Sequence, residues 1–528
     1  MQRRNLIASF VHYGSSAPRG KARIPFHLIS WLVALWATAA ISAEPFEIKV
    51  LLDAPPATLN PRMALDAAGQ QLDELVFSGL IQLNKDLRPV PAIAESWTVE
   101  NGGKTWRFRI RDNARDQSGE PITAEKMTAC LENYRHGKPL SPYIASFPAW
   151  TGTEALNNEV LLKLSQPDPY LLRNLSLLRY FRAVNPLSPK DEICTNPKAG
   201  DTLIGSGLYR LAESGYDGLF PESELLLLPT TAGPHPLRFI FSIDENSKAI
   251  RLLRGDVDVA HYSIQISKTR WFEQKYGDRF RVLAREGVPV TYVAFNLKHP
   301  ILGKKAVRHA IALSLDRKSI VHYKMFDLDT ESGSLLAPML PESTAVEIPY
   351  DPAAAEKELD ATGFPRGPDG VRFHITIKTT PIRDGLETNQ IFQAMLARIG
   401  IQVTLQIVEP AVFFASIRKK NFEMYTSRFI GLSDGSIFYR ILRSGRPDNR
   451  ASYENPEVDR LLDRAMSETD DSARAELMRK VQTIMADDLP YLPLWHSKIT
   501  DLIRKGLTGL DGPDLSLSSS LVPLSKLR

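Results

Sequence analysis

Phe392-Gln393-Ala394-Met395-Leu396-Ala397-Arg398-Ile399-Gly400-Ile401-Gln402-Val403-Thr404-Leu405-Gln406-Ile407 changes its apolar period halfway along. Phe392, Met395, Leu396 and Ile399 recur at the three- and four-residue spacing of one helix face. Gly400 then supplies a stop, because glycine takes the left-handed conformation that ends a helix without steric cost. From Ile401 the apolar residues alternate, at Ile401, Val403, Leu405 and Ile407, which is the period of a half-buried strand. A helix stripe and a strand face joined by one glycine bury each other. The passage predicts an α/β unit.

The same grammar extends in both directions. Tyr292-Val293-Ala294-Phe295-Asn296 reads as a strand, and Val307, Ala310 and Ile311 as a helix face. Asp351-Pro352 places a cap before a proline at the first helical position, and Gly363 ends that helix. Asn455-Pro456 starts another, with Val458, Leu461, Leu462 and Ala465 turned inward. A last helix runs to about Asp487, and residues 489–495 return as an apolar strand. Nearer the start, Phe46-Glu47-Ile48-Lys49-Val50 alternates, and Leu72, Leu75, Val76 and Leu80 follow at helical spacing. Trp97-Thr98-Val99 and Trp106-Arg107-Phe108-Arg109-Ile110 flank Asn101-Gly102-Gly103, which predicts a hairpin. The arginines of its second strand read as a solvated face. Thr123 caps a helix whose buried side carries Met127, Cys130, Leu131 and Tyr134. Residues 186–201 read as a loop crossing between subdomains.

A chain of 528 residues exceeds one ordinary core and predicts two or three domains. Its formal charge of +4 is misleading. Arg3, Arg4, Arg19, Lys21 and Arg23 all lie in residues 1–43, which hold no acid, so the remainder is close to neutral. A near-neutral chain lacks the basic stripe that nucleic acid demands. The basic start, the apolar run at 28–40 and the small residues Ile41-Ser42-Ala43 read as a signal peptide, and hence as export to the periplasm. No cysteine follows the cleavage point to carry a lipid. Cys130 and Cys194 are the two cysteines. They could pair in an oxidising compartment, but Cys130 on an apolar helix face reads first as a small buried hydrophobe.

Catalytic chemistry leaves no trace. The histidines show no metal-binding helical pair, Gly205-Ser206-Gly207 is not a nucleophile elbow, and neither a phosphate loop nor a dinucleotide fingerprint occurs. Asp256 and Asp258 share a strand face and read as turn caps. The chain is expected to be no enzyme and to need no cofactor.

Several stretches resemble the family 5 extracellular solute-binding proteins, which include oligopeptide-, dipeptide- and nickel-binding receptors of ABC importers. The resemblance is carried by Thr58-Leu59-Asn60-Pro61, Pro91-Ala92-Ile93-Ala94-Glu95-Ser96-Trp97 and Lys104-Thr105-Trp106-Arg107-Phe108-Arg109-Ile110-Arg111. It continues through Ile122-Thr123-Ala124-Glu125, Gly205-Ser206-Gly207-Leu208-Tyr209 and Gly255-Asp256-Val257-Asp258. Phe295-Asn296, Val307-Arg308-His309-Ala310, Leu315-Asp316-Arg317, Tyr350-Asp351-Pro352 and Asn455-Pro456-Glu457-Val458-Asp459 complete it. These glycines and proline pairs stand where turns and helix starts need them, so they specify the fold more than the ligand.

The resemblance implies an α/β fold of the bilobal, type II flytrap kind, with mixed sheets in each lobe. After a signal peptide at 1–43, lobe I would hold residues 44–290, with an inserted subdomain at 85–202. Lobe II would hold 291–489, and residues 490–528 would return to lobe I. A small-molecule or peptide ligand, peptide-like or anionic, would close the hinge, and the receptor, a monomer, would deliver it to an ABC permease in the inner membrane. Nickel or haem chelate binding, and a periplasmic chaperone or sensory role on the same fold, are the alternatives. Peptide receptors of this family resemble one another in a Trp-x-x-Asp-Tyr-x-Asp-Pro stretch whose first Asp pairs with the peptide's amino group. Here Phe429 stands for the Trp and Asp434 for the later Asp, while the amine-pairing Asp is replaced near Leu432 or Ser433. Arg428 adds a positive charge, and Arg383 lies near the family's carboxylate-binding Arg. Arg383, Arg428, Phe429 and Asp434 are therefore the candidate ligand-binding residues.

Overall fold

The computed structural model describes residues 46–509, apart from 85–86, 186–187, 213–223 and 431–433, together with 525–526. The expected leader at 1–43 lies outside the described residues, as do Leu432 and Ser433. Among the described residues no helix is long and apolar enough to cross a membrane.

Two mixed sheets organise the chain. The first has seven strands, in the order Tyr209–Leu211, Glu224–Pro229, Leu237–Phe241, Ile48–Leu52, Val259–His261, Ile499–Arg504, Phe280–Arg285. The second has six, in the order Asp329–Glu331, Tyr491–Ser497, Val290–Phe295, Met424–Phe429, Phe373–Thr379, Ile401–Ile407. The opening sequence passage supplies the helix Arg383–Arg398 and the edge strand Ile401–Ile407, which pairs in parallel with Phe373–Thr379. Gly400 sits between them at φ 83°, the left-handed conformation that its position requires. Phe392, Leu396, Ile399, Ile401 and Val403 are all buried in one cluster.

The caps read from sequence are made. Thr123 Oγ1 accepts from Lys126 N at 3.3 Å. Asp351 Oδ1 accepts from Ala354 N at 2.9 Å, and Asn455 Oδ1 from Glu457 N at 3.0 Å. The hairpin forms as Ala94–Glu100 and Thr105–Ile110 within a four-stranded sheet. Its arginine row meets carboxylates of adjoining strands as well as water: Arg107 pairs with Glu100 and Glu159, and Arg109 with Glu95.

Three sequence expectations change. Residues 186–201 are not all loop, because Ser188–Ile193 is a strand paired with Arg182–Asn185. Cys130 and Cys194 are joined as a disulfide rather than standing as separate buried thiols. It ties the helix Ala124–His136 to the segment after Ser188–Ile193, across 64 positions of sequence. The return expected at 490 comes later. Tyr491–Ser497 is still an inner strand of the six-stranded sheet, and the chain reaches the seven-stranded sheet only at Ile499.

The two crossings are built as one ribbon. Phe280–Arg285 and Ile499–Arg504 are antiparallel neighbours in the first sheet. Their continuations, Val290–Phe295 and Tyr491–Ser497, are antiparallel neighbours in the second. Between the sheets, Ser497 N donates to Pro289 O at 2.9 Å. Gly287 permits this approach, since a Cβ there would lie 2.2 Å from the Ser497 carbonyl oxygen.

The disulfide closes a long loop, and such a link stabilises chiefly by restricting the unfolded chain. The double variant Cys130→Ala/Cys194→Ala is expected to lose about 2–4 kcal/mol of stability, read as a lower Tm in a thermal melt. The wild-type melt in reductant should move toward the variant's.

Candidate functional site

A cavity of about 650 Å³ opens where the six-stranded sheet runs out toward the ribbon. The strand register shows why it forms there. Thr291 lies opposite Trp495 on one side and Arg428 on the other, while Asp329 lies opposite Ser497. Alternation puts Asp329, Trp495, Thr291 and Arg428 on one sheet face. Deeper in lobe II that face is covered by the helix Arg383–Arg398 and the core around Val293, Phe295 and Phe392. At the strand ends the cover stops and the cavity begins. Its rim is completed by the start of Arg383–Arg398, by Phe413 and Phe414, and by Tyr323 to Phe326. The first lobe contributes Gln265, Ile266 and Ser267, at the start of the helix Ile266–Tyr276.

The charges within it are mixed. Lys324 Nζ lies 3.1 Å from Glu387 and 3.9 Å from Asp384, so its charge is met locally. Arg428 is exposed and reaches across the lobes, its guanidinium donating to the Tyr262 hydroxyl at 3.4 Å. Asp329 is 4% exposed. Burial pushes its carboxyl up to about 6, with the Arg428 charge pulling the other way.

The structure separates the four candidate residues. Arg428 lines the cavity. Arg383 is the first residue of its helix, and its neighbours Ile382, Asp384 and Gly385 line the cavity; its own side chain lies outside the described part of the structure. Phe429, next to Arg428, points to the opposite face of the sheet. It stacks on Tyr292 at 4.3 Å between centroids and packs against the lobe II core. Asp434 is buried away from the cavity lining, where its Oδ1 accepts from Ser436 N at 2.9 Å.

Asp434 belongs to a second contact between lobes. Tyr170, from the segment following the four-stranded sheet, is 2% exposed within the lobe II core. Its hydroxyl donates to Glu342 Oε1 at 3.1 Å, and the Arg474 guanidinium lies 5.3 Å from its ring centre. Arg173 approaches Asp434 at 3.9 Å. Burial pushes Asp168 up to about 6 and also lifts Glu342, and the Asp434 charge adds to both shifts.

Sequence reasoning missed Asp329, Thr291, Trp495 and Tyr262. Asp329, Thr291 and Trp495 line the cavity from three different strands, and Tyr262 reaches Arg428 from just past a fourth, so no local pattern in the sequence brings them together. Among the described residues no group of three or more His, Cys, Asp or Glu could hold a metal ion.

A cavity lined from two α/β lobes, which are joined by two adjacent crossings, defines a solute receptor of the flytrap class. The family model described as bacterial extracellular solute-binding proteins, family 5, middle region, matches residues 88–449, and the chain belongs to that family. It is 24% identical over 489 residues to the dipeptide-binding protein DppE of Bacillus subtilis, covering 86% of this chain and 87% of that one. It is 26% identical over 502 residues to the nickel-binding periplasmic protein of Escherichia coli, covering 88% and 92%. Among solved structures, NikA from Brucella suis in complex with Fe(III)-EDTA superposes with a TM-score of 0.79 at 20% identity, covering 91% of this chain and 100% of that one. The protein is a substrate-binding component of the ABC-importer class and not an enzyme.

Adjacent residues on opposite sheet faces give a direct test. Phe429→Ala should cost about 2 kcal/mol of stability through lost core packing and lower the Tm. Arg428→Ala, on the open face, should leave stability within about 0.5 kcal/mol. Paired thermal melts of the two variants check this.

Proposed function

We propose that the protein works in the periplasm, where it captures a small zwitterionic or peptide-like solute between its lobes and delivers it to an ABC permease. The observation that carries this reading is the cavity itself, whose walls come from both lobes and include an arginine that bridges them. Its volume of about 650 Å³ falls within the span of small-molecule sites. The lining pairs aromatic surface with charges of both signs, which suits a ligand with an apolar body and charged ends. The relatives bear the names of a dipeptide-binding and a nickel-binding protein. The ligand class is therefore taken from this cavity rather than from either of them.

Closure follows from the geometry. A solute that touches only one lobe has no preference between open and closed forms, whereas one that touches both favours the closed form by its extra contacts. Gln265 to Ser267 approach the cavity from lobe I, and the strand ends of lobe II approach it from the other side. Arg428 and Arg383 are the basic residues assigned to an anionic group of the solute. Delivery to the permease, a monomeric state and removal of residues 1–43 complete the proposal.

Native mass spectrometry of protein taken from the periplasm without refolding should show a co-purified small molecule. Adding that molecule to the stripped protein should reduce the radius of gyration in solution scattering. A scattering curve that does not change at saturating ligand would refute closure over a solute. Arg428→Ala and Arg383→Ala should each weaken binding about tenfold or more, as expected on loss of a charge-assisted hydrogen bond. Unchanged affinity in both would remove the arginines from the site.

A further inference from the structure

We infer that Asp329 is the residue that receives a protonated nitrogen of the solute, so the ligand class is one bearing an ammonium or guanidinium group. The inference rests on the reading of this cavity as the solute cleft.

Asp329 begins the short edge strand Asp329–Glu331, and it lines the cavity. Its Oδ2 accepts from Ser497 Oγ at 3.3 Å. Its Oδ1 is buried and has no hydrogen-bond partner. Among the described residues, no basic side chain lies within ion-pair distance of it. The Thr291 hydroxyl lines the same cavity and is likewise buried without a partner. Buried polar atoms are normally paired, and each left unpaired costs about 1–3 kcal/mol. A buried anion costs more. Two such atoms on one wall of one cavity mark a place built for a donor that the protein does not itself supply. Burial raises the Asp329 carboxyl, while the Arg428 charge, the Lys498 backbone N–H, the Ser497 hydroxyl and the Lys498 charge pull it down.

The surrounding charges define the donor. Arg428 and Lys498 both bear on Asp329 through their charge, and Tyr262 lies close enough to sense it. Arg428 is turned to the Tyr262 hydroxyl rather than paired with Asp329. The wall thus offers an anionic point at Asp329 and a separate cationic point at Arg428. A solute with a protonated nitrogen and an anionic group would satisfy both at once. Because Asp329 adjoins Ser497 and Tyr262, the nitrogen would sit beside the ribbon that joins the lobes.

The test uses the mature protein, stripped of bound solute, and a defined panel read by thermal shift and calorimetry. The panel contains free amino acids, unprotected di- and tripeptides, diamines, and matched N-acetylated and purely anionic compounds. The best binders should carry a protonated nitrogen. Asp329→Asn, which keeps an acceptor for Ser497, should weaken them by about 30-fold, the scale of a charge-assisted hydrogen bond. N-acetylation of the same compounds should weaken binding to the wild type by a similar factor. Thr291→Val, which changes shape little, should weaken the same compounds by a smaller factor and serves as the second variant. The inference is overturned if the best binder has no protonatable nitrogen. It also falls if binders tolerate both acetylation and Asp329→Asn while still losing affinity in Arg428→Ala; the cleft reading then stands. Binders indifferent to all three substitutions, or no binder in the panel, would overturn the cleft reading and this inference together.

Discussion

The buried carboxylate of Asp501 holds together the strands on which the two-lobed arrangement depends. It is wholly buried in the strand Ile499–Arg504. His261 Nδ1 lies 2.8 Å from its Oδ1, and the Arg285 guanidinium pairs with its Oδ2. Burial alone would raise this carboxyl, yet His261 and Arg285 hold it below the usual carboxylate range. Arg285 is the last residue of the strand that leaves lobe I, and Asp501 stands just past the point where the chain returns. His261 ends the neighbouring strand, immediately before Tyr262. One carboxylate therefore ties the outgoing strand, the returning strand and the strand that ends one residue before Tyr262. Removing a single partner from such a buried set typically costs about 3–5 kcal/mol, because an uncompensated charge is left behind. The close approach at Gly287 follows directly on these strands, which pair in register from Phe280 with Arg504 to Arg285 with Ile499.

From that ribbon the placement of the cleft follows. The strands passing through it enter the second sheet side by side, so lobe II begins with its inner strands rather than its edges. Their ends lie nearest the other lobe. The sheet face there has lost its helical cover but has not met the first lobe's core, and the gap is the cavity. The second bridge, at Tyr170, Glu342 and Arg474, meets lobe II on the opposite sheet face, the one that carries Phe429. The lobes thus engage on both sides of the six-stranded sheet: at the ribbon, where movement is constrained by covalent crossings, and at a polar contact whose carboxylates are costly to bury.

What sequence made legible was whatever depends on neighbours along the chain. Caps at Thr123, Asp351 and Asn455, the stop at Gly400 and most helix faces are decided within a few residues and formed as read, although Leu80, read with the stripe of Leu72, Leu75 and Val76, lies beyond the helix Ala67–Val76. The crossing near 290 was expected from the strand read at Tyr292–Asn296, and the strand itself runs from Val290 to Phe295. The second crossing was misplaced because Tyr491–Ser497 is buried along its whole length. An inner strand of this kind carries no alternation to show which sheet it serves. The disulfide was not legible for a similar reason, since Cys194 approaches Cys130 only through the pairing of Ser188–Ile193 with Arg182–Asn185. Arg428 and Phe429 were chosen together from one motif. Pleating sends them to opposite faces, so one lines the cleft and the other supports the core.

The motifs that identified the family occupy turns, caps and hairpins, and this explains why relatives at 24–26% identity can carry names for unlike ligands. Turns fix where strands end, while the residues at those ends remain free to vary without disturbing the register. Asp329 illustrates the separation. Its backbone belongs to an edge strand of three residues, whose hydrogen bonds to Tyr491–Ser497 need no particular side chain. Its carboxylate is nevertheless held in a nearly dry position with one oxygen unmet. Burying a carboxylate with one oxygen unpaired carries a desolvation cost that the rest of the fold must offset. A polar residue that the fold does not need, at a position the fold tolerates, and facing the cavity, is where selection for a ligand rather than for a structure leaves its mark.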